Sequence, residues 1–335
     1  MILLSFIVPV YNVERHLSRC LDSLLKQNIP HSNYEIITVN DGSTDDSLNI
    51  LNEYTSKHEN IKTYTKANGG LSSSRNYGLS KCRGKYIWMV DSDDSIKENC
   101  LNELLDFTTK QDIDFLSIPM NEIIDNKIIL GNNKKKPIDV IINQYEYLED
   151  FMIEHSACCF IVKRDIIIEN NIFFIEKIIH EDYDFVIRLL EKCNRITSYQ
   201  KLGGIYNYYI GRTGSITTEM SKDGYIKTLD SFYISIKLLL EKYRDKTNRY
   251  TYCVSPYIDN MKCYALSYLL KSTITYNDKK RYYEKYKAAN FFKIDKTRLT
   301  STKVYIASYI YRCPFLYKTL MLLVFSKFNK KSYTL

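Results

Sequence analysis

Four short apolar runs in the first hundred residues alternate with stretches of helical spacing, and two of the runs end in carboxylate clusters. Leu3–Val8, Tyr34–Val39, Ile61–Tyr64 and Tyr86–Val90 read as strands. Leu17, Cys20, Leu21, Leu24 and Leu25 share one helical face. Ser43 or Thr44 can cap a helix through Leu48 and Leu51, and Ser72–Leu79 suggests another. This β–α alternation predicts an α/β fold with a largely parallel sheet covered by helices on both faces. Ligands of such sheets sit at the carboxyl ends of the strands. Asp41-Gly42-Ser43 and Asp91-Ser92-Asp93-Asp94 both fall at that edge.

The pattern continues with a helix over Leu101–Phe107, a strand at Phe115–Ile118 and a hairpin near Asn121–Leu130. An exposed connection at 131–137 leads to a helix at Tyr145–Ile153, the apolar stretch Cys158–Val162, a helix at Asp184–Leu190 and an extended segment at Gly204–Tyr209. Beyond Gly224 the spacing is helical throughout, as in Ile226, Leu229, Phe232, Ile236 and Leu239. Charge changes at the same place. Residues 1–220 hold 24 Lys+Arg against 31 Asp+Glu, whereas residues 221–335 hold 23 against 8. The net charges of −7 and +15 predict two regions with different partners, one carrying chemistry and one meeting something anionic.

Nine Cys in no CxxC pair read as small buried apolar residues, and five scattered His make a structural zinc site unexpected. The N-terminus lacks a basic n-region, and no apolar run reaches the roughly 18 residues of a membrane span. The active site is therefore expected to face the cytoplasm. The 30 Tyr can reflect biased coding composition as easily as function.

Asp91-Ser92-Asp93-Asp94 directly follows a buried strand. Crowded carboxylates repel unless a cation neutralises them, and Mg²⁺ or Mn²⁺ prefers such oxygen ligands. A cation with open positions can neutralise a diphosphate leaving group. The residues equally allow a capped turn in which Asp94 or Ser95 starts the next helix. After the second strand, Gly42 permits a tight turn and Asp41 can accept a hydrogen bond from a base or ribose. Tyr11 in Pro9-Val10-Tyr11-Asn12 offers a ring for stacking. Gly69-Gly70-Leu71-Ser72-Ser73-Ser74-Arg75-Asn76 joins a flexible turn to a helix start. Its Arg75 can bind phosphate, clamp a carboxylate or stand in solvent. Asp182 can cap a helix beginning near Tyr183, or a carboxylate of Glu181-Asp182 can act as general base toward an acceptor hydroxyl. Tyr209, Arg212, Thr213, Gly214 and Ser215 form a polar loop able to close over a phosphate or to make a plain turn. No GxGxxG or GxxxxGK[ST] motif is present.

Taken together, these motifs resemble those of the inverting family 2 glycosyltransferases with a GT-A fold, particularly bacterial capsule, exopolysaccharide and O-antigen (lipopolysaccharide) sugar transferases. Ser5–Asn12 resembles the family's first strand and donor-binding loop, and Ile36–Asp45 its second strand and nucleotide-contacting turn. The resemblance puts Pro9, Tyr11, Asn12, Asp41 and Ser43 at the nucleotide, with Asp41 on a uracil base. Asn68, Gly69 and Arg75 resemble its glycine-rich segment, where the Arg holds the donor site together. Tyr86–Asp94 resembles the DxD strand, which implies Asp91 and Ser92 beside the nucleotide and Asp93 as direct metal ligand, with Asp91 assisting. Glu181-Asp182 resembles the acidic pair near the acceptor, with Asp182 the implied base and Glu181 the alternative. Arg212 resembles the closing segment at the diphosphate. Asn40 stands where an acidic or other polar residue is common, and 173–180 lack the usual Pro-rich approach.

The likeness implies a Rossmann-like mixed sheet flanked by helices in residues 1–217, with the donor mainly on 1–95 and the acceptor side on 96–217. A helical, basic region follows at 218–335. It implies metal-dependent (Mn²⁺ or Mg²⁺) inverting transfer of a hexose or N-acetylhexosamine from a UDP-sugar to a glycan hydroxyl. The acceptor is expected to be lipid-linked. Residues 291–335 carry nine Lys+Arg, one acidic residue and many interspersed apolar groups, the composition of helices that lie in an anionic membrane interface or pack on a catalytic domain. The expected location is thus peripheral, at the inner face of the cell membrane, with a homodimer left open. A nucleotidyltransferase would need a Gly-rich basic loop after the first strand, where Pro9-Val10-Tyr11-Asn12 stands. A nucleic-acid-binding protein would leave the acidic strand ends unexplained.

Overall fold

The computed structural model of the chain describes residues 1–335 apart from 126, 131–137, 139, 151–152, 154, 212–220, 246, 296–298, 300–301 and 332–335. It divides into two compact units, Met1–Lys177 with Glu181–Gly214, and Ile178–His180 with Ser215–Leu335.

The first unit opens with β1 (Leu4–Val10), α1 (Glu14–Leu25), β2 (Tyr34–Asn40), α2 (Ser47–Lys57), β3 (Ile61–Thr65), α3 (Leu71–Lys81) and β4 (Tyr86–Met89). Every residue of β1, β2 and β4 is buried, as strands covered on both faces must be. The expected β–α alternation is present, and each strand lies within a residue or two of its reading. The unit continues with β5 (Ser95–Ile96), α4 (Leu101–Lys110), β6 (Phe115–Ser117), β7 (Met120–Ile124), β8 (Lys127–Leu130) and α5 (Gln144–Asp150). It ends with β9 (Phe160–Lys163), α6 (Arg164–Glu169), α7 (Asp182–Leu190), β10 (Ile196–Ser198) and β11 (Tyr206–Tyr209).

Seven strands form one sheet in the order β10-β6-β9-β4-β1-β2-β3. Strands β4, β1, β2 and β3 are mutually parallel, with Phe6 opposite both Ile36 and Trp88. β9 enters antiparallel between β4 and β6, so the sheet is mixed, though largely parallel as expected. The remaining strands, β5-β11-β7-β8, make a second sheet that includes the expected hairpin. Trp88 is fully buried beside Phe6, and its indole N–H donates to the Cys158 carbonyl at 2.8 Å. Burying a side chain of that size contributes about 1.5–3 kcal/mol, provided its polar atom is paired. Helix α3 lies close over β1: a Cβ on Gly78 would meet the Ile7 Cγ2 at 2.4 Å.

Two helix starts differ from their readings. Helix α4 begins at Leu101 and is capped by the Gln27 side chain, which accepts from the Cys100 and Leu101 N–H groups, and not by Asp94 or Ser95. Helix α2 begins at Ser47, so Ser43 and Thr44 are free for another use.

The second unit contains α8 (Lys222–Lys242), α9 (Arg249–Lys271), α10 (Tyr276–Ala288), α11 (Thr302–Tyr311) and α12 (Pro314–Lys331). Side chains of Ser221, Asn248 and Thr275 cap the first three. Buried tyrosines tie it together. Tyr286 donates to the Leu229 carbonyl and Tyr317 to that of Leu266, which gives the high Tyr content a structural use. The buried Lys279 ammonium donates to the Leu269 and Leu270 carbonyls at the end of α9. The Ile178–His180 segment belongs here: Ile179 N–H donates to Ser231 Oγ and His180 stacks on Phe232. All nine cysteines are free thiols, eight of them buried.

Candidate active site at the carboxyl edge of the sheet

The glycine-rich turn ends in Gly70, whose φ of +86° only glycine adopts without strain, and this starts α3 so that Arg75 points into the protein. Arg75 is 1% exposed. Its Nη1 donates to Glu181 Oε1 at 2.8 Å and Asp182 Oδ1 at 2.7 Å, and its Nη2 donates to Asp91 Oδ1 at 2.9 Å. One guanidinium therefore joins three carboxylates from the end of β4 and the start of α7. Of the three readings open to Arg75, it is the clamp. Its charge is held well on the protonated side, since these anions outweigh the burial that opposes it.

The two members of the acidic pair differ in access. The Glu181 side chain is 6% exposed and that of Asp182 21%. Asp182 also accepts from the Ala157 N–H at 3.2 Å. The N-cap residue of α7 is Glu181, and its side chain makes no capping bond. Burial pushes its pKa up to about 7; Arg75 opposes this, and the charges of Glu181 and Asp91 add to it.

Asp94 is not a free carboxylate. Its Oδ2 accepts from the Tyr206 hydroxyl at 2.7 Å and its Oδ1 from the Tyr209 N–H at 3.0 Å. The same Tyr206 oxygen accepts from the Asp91 N–H at 3.2 Å. Arg19 donates to the Asp93 carbonyl at 2.5 Å and lies 3.6 Å from the centre of the Tyr209 ring. Tyr206, Tyr209 and Arg19 thus brace the turn that presents Asp91 and Asp93. Burial, reinforced by Asp91, pushes the Asp94 pKa up to about 7.

Asp91 and Asp93 supply the oxygen donors that a hard divalent cation prefers. Around Arg75 alone, three carboxylates face one positive charge, so the local field favours a further cation. Among the described residues no group of three or more His, Cys, Asp or Glu can hold a metal by itself. The set fits a cation of the Mg²⁺ or Mn²⁺ type held by one or two carboxylates and completed by ligand phosphates, the usual habit of Mg²⁺.

On the neighbouring strands, Asp41 is 3% exposed. Its oxygens accept from Lys66 Nζ at 2.5 Å, Gly69 N–H at 2.9 Å and Gly70 N–H at 2.7 Å, so a base would have to share them. Asn68 donates to the Asp41 carbonyl. Ser43 Oγ accepts from the Asn12 N–H, and Asn12 Oδ1 accepts from the Thr44 N–H, which locks the loops after β1 and β2 together. Asn40 Oδ1 accepts from the Ser43 N–H within that turn. Pro9 lies in β1, Ser92 is buried in the acidic turn, and the Tyr11 ring is half exposed. Arg212 through Ser215 lie outside the described residues. Arg75 of α3 thus brings together Asp91, from the turn after β4, with Glu181 and Asp182 at the start of α7, and Asp93 lies two residues along the same turn as Asp91. Tyr206, Arg19 and Lys66 join the site without having been singled out in the sequence, because they act across separations that no local motif encodes.

The family model for Glycosyl transferase family 2 matches residues 5–169. The minor teichoic acid biosynthesis protein GgaB of Bacillus subtilis (strain 168) is 34% identical over 227 residues, covering 65% of this chain and 24% of that protein. An uncharacterized glycosyltransferase, YibD of Escherichia coli (strain K12), is 27% identical over 263 residues and covers 72% of each chain. The chain therefore spans about a quarter of GgaB. The crystal structure of Staphylococcus aureus TarS 1–349 in complex with UDP-GlcNAc superposes with a TM-score of 0.72 at 20% identity, covering 98% of this chain and 92% of that one.

Proposed function

We propose a specific reaction for a chain that belongs to glycosyl transferase family 2, through residues 5–169, and has the GT-A fold: inverting transfer of a hexose or N-acetylhexosamine from a UDP-sugar to a glycan hydroxyl. The observation that carries it is the Arg75 clamp, which ties the donor-side carboxylate Asp91 to the acidic pair Glu181-Asp182. A donor requires neutralisation of its phosphates, an acceptor requires a base, and the two must be held at fixed separation. One buried guanidinium supplies the last of these, the fixed separation.

In this reading residues 1–95 bind the nucleotide, 96–217 face the acceptor and 218–335 form the helical region. Tyr11 stacks on the base, Asp41 and its Gly69 and Asn68 partners line the base and ribose, and Arg212 meets the diphosphate. Asp93, with Asp91, would hold Mn²⁺ or Mg²⁺, whose charge offsets that of the leaving UDP. Asp182 takes the proton from the acceptor hydroxyl, and its raised pKa keeps it basic enough to do so near neutral pH. Glu181, more deeply buried, fixes the Arg75 fork. Attack on the face opposite the departing UDP inverts the anomeric centre.

The product is assigned to a bacterial surface polysaccharide, a reading supported by the teichoic acid role in the name of GgaB. A UDP-sugar donor is supported by the UDP-GlcNAc in the TarS complex. A lipid-linked acceptor suits the basic C-terminal region, which meets an anionic membrane at its cytoplasmic face. Among the described residues no helix is long and apolar enough to cross a membrane.

A thermal-shift screen of UDP-glucose, UDP-galactose, UDP-N-acetylglucosamine and UDP-N-acetylgalactosamine, with and without Mn²⁺, tests the reading. One of the four should raise the melting temperature, and more so with the metal. No shift with any of them would defeat the UDP-sugar assignment.

A further inference from the structure

Helices α11 and α12 both pack on α9, and their described side chains bury a narrow stripe. In α11, Ser308 and Tyr311 face inward, whereas Ile306 (64% exposed), Tyr309 and Ile310 face outward. In α12, Tyr317 and Met321 face inward, whereas Phe315 (76% exposed), Leu316, Leu322 and Leu323 (57%) face outward. The outward positions recur at i, i+3 and i+4 in α11 and at i, i+1, i+7 and i+8 in α12, in each case one side of a helix. A surface helix in water carries charge on that side. Here the outward positions named are apolar as well, and an exposed apolar face marks an interaction surface.

Charge identifies the occupant. Residues 296–335 contain eight Lys+Arg and no Asp or Glu. A second copy of this chain would bring two such basic regions together, whereas anionic lipid headgroups neutralise them. No described helix can span a bilayer, so the helices would lie along the interface.

We propose that the outward faces of α11 and α12 insert among the acyl chains of an anionic membrane, with Phe315, Leu316, Leu322 and Leu323 as the principal anchors. This rests on the reading above that the basic C-terminal region meets an anionic membrane, and it assigns the binding to apolar insertion and not to charge alone.

Vesicle flotation of the full chain tests it, using phosphatidylcholine vesicles with and without phosphatidylglycerol. The wild-type chain floats with the phosphatidylglycerol vesicles, and part of it stays bound at about 1 M salt, where screening reaches within about 3 Å. The variant Phe315→Ser/Leu316→Gln/Leu322→Gln/Leu323→Gln, with an unchanged melting temperature, partitions at least about tenfold less. If both chains bind equally, charge alone holds the protein and the insertion proposal is overturned while the membrane reading stands. If the wild-type chain binds neither vesicle, both fail. A dimer seen by light scattering and abolished in the variant would instead assign the face to a second copy and overturn the proposal. Phe315→Trp gives an independent readout. Trp88, the only native tryptophan, is fully buried. The added indole's emission therefore shifts to the blue on anionic vesicles, and unchanged emission would contradict insertion.

Discussion

Arg75 donates to Asp182 at 2.7 Å across 107 residues of sequence, and the other arm of the same guanidinium holds Asp91 at 2.9 Å. The end of β4 and the start of α7 are thereby fixed to one rigid planar group. A planar guanidinium bonded at both ends sets angles as well as distances, which a point charge cannot do.

Replacing Arg75 by Met leaves Asp91, Glu181 and Asp182 without their shared cation, two of them largely buried. Loss of one partner from a buried ion pair costs about 3–5 kcal/mol. Arg75→Lys keeps the charge but loses the fork, and should fall between Met and wild type. Urea unfolding measures all three, and equal stability of the Met variant and wild type would remove the clamp from the account.

As the proposed base, Asp182 must be ionised to accept a proton, and its pKa is pushed up to about 7 by burial against the pull of Arg75. Turnover should therefore fall as pH drops through about 7 and level off above it. Asp182→Asn should lose about 10²–10⁴ in kcat, the usual contribution of a general base. Glu181→Gln should lose much less. A pH–rate profile of the two variants decides between them, and a larger loss at Glu181 would reverse the assignment.

Tyr206→Phe removes one oxygen that serves both the Asp91 N–H and the Asp94 carboxylate. An unsatisfied buried polar group costs about 1–3 kcal/mol. Turnover should also drop about tenfold, or about 1.4 kcal/mol, because Asp91 and Asp93 lose their brace. Unaltered kcat in a variant that unfolds at lower urea would make Tyr206 a purely structural residue.

Away from the site, Glu35 accepts from the Ser5 hydroxyl and the Arg83 N–H, with Lys62 and Arg83 nearby. Burial alone would raise its pKa, but these partners outweigh it and the net shift is downward. Its folded value thus lies below the unfolded value of about 4.3. The stabilisation is complete above about 4.3 and is lost as pH falls through the folded value. Glu35→Gln should flatten the acid limb of stability measured by urea midpoints against pH. Parallel limbs for variant and wild type would contradict this.

The strand ends were legible because they need only local signals: a buried apolar run followed by Asp91-Ser92-Asp93-Asp94 or Asp41-Gly42-Ser43. Arg75 could be placed at a helix start beside a glycine turn, but its three partners could not, since one lies 16 residues away and two lie more than 100 away. The antiparallel entry of β9 was hidden for the same reason: Phe160–Lys163 is as apolar as a parallel strand, and direction leaves no mark on composition. Helix α4 was misread at its start because its cap, Gln27, comes from a different element. The tyrosines looked like compositional bias, yet Tyr286 and Tyr317 each bury a ring and spend the hydroxyl on a helix carbonyl.

The most direct test measures donor binding and UDP release together, by calorimetry and a UDP-detection assay, for wild type and Asp182→Asn with the UDP-sugar found in the screen. Both proteins should bind the donor in Mn²⁺ with similar affinity, and only the wild type should release UDP at an appreciable rate in the presence of acceptor or water. Equal UDP release by the two proteins would contradict the assignment of Asp182 as the base.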